Sequence, residues 1–174
     1  MVRQNPSPTE VMVILAYDCQ GVLVCHPVRE GLTVNAAYYS SFLVYQLRRA
    51  VHTKRPELLD NAIILHDNAT VHTAATLQLR LQRWRWDVLQ HPPYSPDLRP
   101  CDYDLIPKVK KPFCGKRFAN KQDILTAFQR EVSHLAIHMQ RMVFSACPTA
   151  GNEQWKHWVI ILKVFNKWRL VLFM

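Results

Sequence analysis

Ala62-Ile63-Ile64-Leu65-His66-Asp67-Asn68 is the stretch on which the fold turns: a short apolar run goes straight into a histidine, an aspartate and an asparagine. A run this short and continuously apolar fits a strand buried on both faces, as in the middle of a sheet. Its carboxyl end then delivers Asp67, at the place where open α/β sheets carry their sites. Upstream, residues 11–17 (VMVILAY) are a second apolar run, closed by Asp18-Cys19-Gln20-Gly21. That reads as a buried strand turning into a second one over residues 22–27, with residues 31–34 as a third short extended piece.

Between the two apolar runs, Tyr39, Leu43, Leu47 and Val51 recur every four residues behind Asn35, which predicts a capped helix over 35–52. Downstream, Ala74, Leu77, Leu81 and Trp84 mark a second amphipathic helix whose outer face carries Arg80, Arg83 and Arg85. Residues 86–89 give a further short strand. The order is strands, helix, strand, helix, strand, which predicts an α/β domain. Residues 91–100 (HPPYSPDLRP) hold four prolines, so neither helix nor central strand runs through them. A helix resumes near Cys101 or Asp102, limited by Pro107 and Pro112, and Ile124, Phe128, Val132 and Leu135 mark another from Lys121.

The 174 residues are 49% hydrophobic, enough apolar mass for one domain with a proper core, and the formal net charge of +9 points to polyanionic partners. Five cysteines without a CxxC pair suggest reduced thiols and an intracellular setting. The start, MVRQNPSPTE, has no apolar signal core. Residues 155–174 come closest to a membrane span, but Lys156, His157, Lys163, Asn166, Lys167 and Arg169 interrupt them, so no membrane association is expected. In that tail Trp158, Ile161, Leu162, Phe165 and Trp168 lie at helical spacing, and a helix packed on the domain is the expectation.

Three acids sit at element ends: Asp18 after the first strand, Asp67 after the central one, and Asp102 at the start of a helix after the proline loop. Singly, each reads equally as a turn residue or a helix cap. Together they offer hard oxygen ligands suited to Mg²⁺ or Mn²⁺. Two such ions about 3.5–4 Å apart stabilise both the attacking and the leaving oxygen of a phosphodiester. Lys108, Lys110, Lys111, Lys116 and Arg117 follow Asp102 closely, and with Arg80 and Arg83 they are the candidate DNA-binding residues, the alternative being a solvated charged face. His66 either orients the loop beside Asp67 or packs there. His66 and His72 lack the spacing of a helical zinc pair. No GxSxG, GxGxxG or GxxxxGK[ST] stretch occurs, so neither a serine-hydrolase elbow nor a nucleotide loop is expected, and no small-molecule substrate.

His66-Asp67-Asn68-Ala69, the string from His91 through Tyr94-Ser95-Pro96-Asp97-Leu98 to Asp102-Tyr103, and Gly115-Lys116-Arg117-Phe118 closely resemble the mariner branch of the Tc1/mariner transposases. Residues 68–101 put thirty-four positions between Asp67 and Asp102. That interval is similar to the family's Asp, Asp, 34, Asp signature, and Asp18 in Ala16-Tyr17-Asp18-Cys19-Gln20-Gly21 looks like its first carboxylate.

The resemblance implies an RNase H-like fold, a mixed sheet flanked by helices, in which Asp18, Asp67 and Asp102 bind two Mg²⁺ or Mn²⁺ ions for hydrolytic nicking and strand transfer of DNA. It implies a place for Tyr94, Ser95, Pro96, Asp97 and Leu98 in the contacts of a homodimer, the alternative being a rigid spacer that positions Asp102; His66 and Asn68 are the candidate orienting residues. A nuclear location follows from the substrate. The family's helix-turn-helix region, which binds inverted repeats, is not visible before residue 11. The expected organisation is therefore a linker remnant or disordered start over 1–10, a catalytic domain over 11–138, and a divergent C-terminal segment over 139–174, helical and packed on the domain. The other expectation is a domesticated or relict derivative that binds DNA or a protein partner without catalysis.

Overall fold

The computed structural model describes residues 8–18, 20–66, 69, 72–89, 106–114, 116, 118–135 and 159–171; for 8–10, 106, 159, 161, 163 and 165–171 it describes the backbone. β1 (Pro8–Asp18) and β2 (Gly21–Pro27) form an antiparallel hairpin in which Asp18 pairs with Gly21. The Asp18 carboxylate accepts the Gln20 N–H at 2.8 Å, and Gly21 takes a φ of 127°, a conformation that side chains disfavour. β1 is apolar over residues 11–17 because both its faces are covered there: Val13, Leu15 and Tyr17 bury on one, Ile14 and Ala16 on the other.

The expected third extended piece does not form. The ladder closes where Val28 N–H donates to Met12 O, and the chain then turns through Gly31 at φ 77°. Leu32 is left 48% exposed, without a sheet edge to join.

Asn35 caps α1 (Ala36–Phe42) by accepting the Tyr38 N–H at 2.8 Å. The helix continues through a π-helical segment, Leu43–Leu47, into α2 (Arg48–Lys54). A stripe repeating every four residues drifts about 40° around a regular α-helix at each step. The wider π turn takes up that drift, so Tyr39, Leu43, Leu47 and Val51 are all fully buried. β3 (Ile63–Leu65), α3 (Ala75–Arg83) and β4 (Asp87–Val88) follow as expected, with Leu77 and Leu81 inward and Arg80, Arg83 and Arg85 exposed. α4 (Ile106–Lys110) runs into a 3₁₀ turn, Lys111–Phe113, started by Pro112. α5 (Lys121–His134), capped by Asn120, buries Ile124, Phe128 and Val132.

The last described element corrects the reading of the tail. β5 (Val159–Val171) is a strand, not a helix, and lies inside the sheet rather than on the domain's surface. The five strands run β2-β1-β5-β3-β4, with β5 antiparallel to β1 and parallel to β3, and β3 parallel to β4. Helical and strand periodicities coexist in this stretch. Ile160 and Leu162 alternate toward one face and are buried there, and β-branched residues suit the pleat. Two strands that each lacked a neighbour decided between them.

The sheet divides the core into two layers. One is closed by α1, the π segment, α2 and α3; the other by Val109, Phe113 and the buried face of α5. Among the described residues no helix is long and apolar enough to cross a membrane.

Candidate active site

β3 has Ile63, Ile64 and Leu65 all buried, flanked by β5 on one side and β4 on the other. The sequence is apolar here because no face meets water. At its carboxyl end His66 is 6% exposed and lies against Tyr39 of α1, with ring planes 9° apart and centroids 6.2 Å apart. The His72 ring sits 4.6 Å from His66 and 4.3 Å from Tyr39. The Tyr39 hydroxyl and His66 Nδ1 are 3.5 Å apart. Both readings of His66 therefore meet in one residue: it packs, and by packing it fixes the strand end directly before Asp67. Tyr39 and His72 complete this three-ring stack. Tyr39 was legible only as core, and the spacing of His72 pointed to no role.

Asp67, Asn68, Asp102, Arg117 and the segment Tyr94, Ser95, Pro96, Asp97 and Leu98 lie outside the described residues. Asp18 lies within them, at the carboxyl end of β1. The pairing sets Tyr17, Ile161 and Leu65 side by side. From that row β1 proceeds to Asp18 toward the Val159 end of β5, whereas β3 proceeds to His66 toward Leu162. The two strands run in opposite directions because both border β5, one antiparallel and one parallel. Their carboxyl ends point in opposite directions along the sheet.

The Asp18 carboxylate is also fully engaged. Arg55 Nε donates to Oδ2 at 2.7 Å and Arg55 Nη2 donates to Oδ1 at 3.2 Å, while the Gln20 N–H holds Oδ1. The carboxylate is 1% exposed and the guanidinium side chain 14%. A fork of this kind is charge-assisted and directional, and it already supplies the positive charge a cation would bring. Asp18 thus does not fit a divalent metal. Arg55 was not legible as its partner, since the two are 37 positions apart. Next to it, Lys54 Nζ donates to the carbonyls of Val22 and Leu23 at 3.1 and 2.8 Å, so the end of α2 clasps the hairpin twice. Among the described residues no group of three or more His, Cys, Asp or Glu is placed to hold a metal.

The basic candidates are exposed, yet they do not form one patch. Arg80 and Arg83 ride on α3, which covers one face of the sheet through Leu77 and Leu81. Lys108, Lys110, Lys111 and Lys116 belong to the segment anchored on the other face through Val109 and Phe113. One duplex lying against one face meets one group or the other.

Against known proteins, residues 2–125 match the family described as DDE superfamily endonuclease. The chain is 36% identical over 125 residues to the Mariner Mos1 transposase of Drosophila mauritiana, an alignment covering 70% of this chain and 36% of that protein. It thus spans about a third of that relative's length. The crystal structure of the Mos1 catalytic domain superposes with a TM-score of 0.72 at 30% identity, covering 82% of this chain and 74% of that one. The same catalytic domain solved with raltegravir and Mg gives 0.65 at 33% identity, covering 76% and 71%. A Mos1 paired-end complex with the left transposon end gives 0.63 at 30%, covering 84% and 47%. The mixed, helix-flanked sheet is the RNase H-like architecture expected from the resemblance.

Proposed function

Because the chain belongs to the DDE superfamily endonucleases, and within them to the mariner type, we propose that it works on DNA as a transposase catalytic domain, nicking phosphodiesters and transferring strands. One observation carries the reading: the buried interior strand β3 ends in a histidine packed against the His72 and Tyr39 rings, immediately before Asp67. Such an anchor limits the motion of whatever follows it, which a metal ligand needs. Asp67 and Asp102 are the residues that would hold Mg²⁺ or Mn²⁺, and the bound cation supplies charge stabilisation for a phosphodiester oxygen. The chain's own part is to fix the strand end and to meet the phosphate backbone with lysines. The same reading carries a homodimer with residues 94–98 at its contacts, and a nuclear location.

The test is supercoiled plasmid incubated with Mn²⁺ or Mg²⁺, with EDTA and the Asp67→Ala variant alongside. Nicking by the parent, lost to background in EDTA and in the variant, is expected. A folded parent that binds DNA with no metal-dependent nicking would sink the catalytic reading in favour of the non-catalytic derivative.

The lysines carry a second expectation. Because α4 starts four residues after Asp102, the triple variant Lys108→Ala, Lys110→Ala, Lys111→Ala should weaken binding to any duplex. Its slope of log affinity against log salt should fall by about 1 for each lysine that meets a phosphate. Arg80→Ala with Arg83→Ala, on the opposite face, should leave the slope unchanged. Equal slopes for the parent and the lysine variant, from a salt titration by fluorescence anisotropy, would remove α4 from the interface.

A further inference from the structure

We infer that Asp18 is a structural anchor, locked to Arg55, and not a ligand of the metal proposed for Asp67. The inference rests on the proposed role of Asp67 for its metal half; its Asp18–Arg55 half stands alone. Three observations converge on it. The carboxylate of Asp18 accepts three hydrogen bonds, two from one guanidinium, in a setting closed to solvent. β1 and β3 run in opposite directions, so the ends carrying Asp18 and His66 diverge. The strands that border β3 are β5 and β4, both parallel to it, so β1 is its neighbour on neither side.

The place between β1 and β3 is held by β5. The acid that spacing and resemblance selected serves instead to fasten the β1–β2 turn to the end of α2.

The measurement is Mn²⁺ binding to the whole chain by isothermal titration, paired with thermal melting, for the parent, Asp18→Asn, Asp67→Asn and the neutral pair Asp18→Asn with Arg55→Gln. Asp18→Asn is expected to melt lower than the parent while binding Mn²⁺ within twofold of it. Asp67→Asn is expected to keep the parent's melting temperature and lose at least tenfold in Mn²⁺ affinity. If Asp18→Asn does not fold, the neutral pair is read in its place, with parental Mn²⁺ affinity expected. A folded Asp18 variant with parental melting and a tenfold loss of Mn²⁺ affinity would overturn the inference. Should Asp67→Asn leave Mn²⁺ binding unaltered, the proposed role of Asp67 fails instead. The anchor is then judged on melting alone, where additive effects of Asp18→Asn and Arg55→Gln would overturn it.

Discussion

Removing residues 159–174 is expected to abolish cooperative unfolding. β5 pairs with β1 along nearly its whole length and with β3 over Ile63, Ile64 and Leu65, so it is the strand that joins the two halves of the sheet. Without it the hairpin β1–β2 and the short parallel pair β3–β4 have no hydrogen bonds in common. A parallel pair two or three residues long has no independent stability. Ile160 and Leu162 are each almost completely buried against the α1, α2 and α3 layer. Truncation of such residues to alanine costs about 2–5 kcal/mol each, against a total stability of roughly 5–15 kcal/mol. Thermal melting followed by near-ultraviolet circular dichroism checks this. A truncated chain that melts as one transition within a few degrees of the parent would show that β5 is dispensable, and Ile160→Asp should reproduce the loss with one side chain.

Arg55→Ala has the next largest expected effect. It strips the guanidinium from a carboxylate that is 1% exposed and leaves the charge buried without its partner. Breaking a buried pair from one side costs about 3–5 kcal/mol, much of it the desolvation of the survivor. For a chain of this size that corresponds to a fall in melting temperature of roughly 6–20 °C. Lys54→Ala is the control. Its ammonium bonds two carbonyls of the same hairpin from an exposed position, so its loss should cost about 1 kcal/mol. Equal small effects for the two variants in calorimetry would mean that the Asp18 carboxylate reaches water when Arg55 is removed.

The elements best read from the chain are those in which local pattern and tertiary demand agree. Residues 11–17 and 63–65 are apolar on every side and became interior strands. Asn35 and Asn120 cap the helices that follow them, and Ile124, Phe128 and Val132 face inward at the spacing their sequence gives. The stretch 159–171 was misread because its apolar residues satisfy both a period of 3.6 and a period of 2, and nothing local chooses between them. The partner of Asp18 falls in the same gap, since Arg55 is 37 positions away. A carboxylate at the end of a buried strand looks like a ligand until the direction of that strand relative to its neighbours is known. The four-residue stripe predicts a regular helix, and the π segment that forms at Leu43–Leu47 was not legible in it.

By itself, then, the sequence determined the α/β class, the strand that leads to Asp67, the family and the basic character of the surface, because these depend on residue type and short-range spacing. Only the tertiary structure decided which strand lies between β1 and β3, that Asp18 belongs to Arg55, and that the basic groups of α3 and α4 face opposite ways. Those are matters of strand order and direction. They are set by which unpaired edges the chain can satisfy at long range, and no window of neighbouring residues contains them.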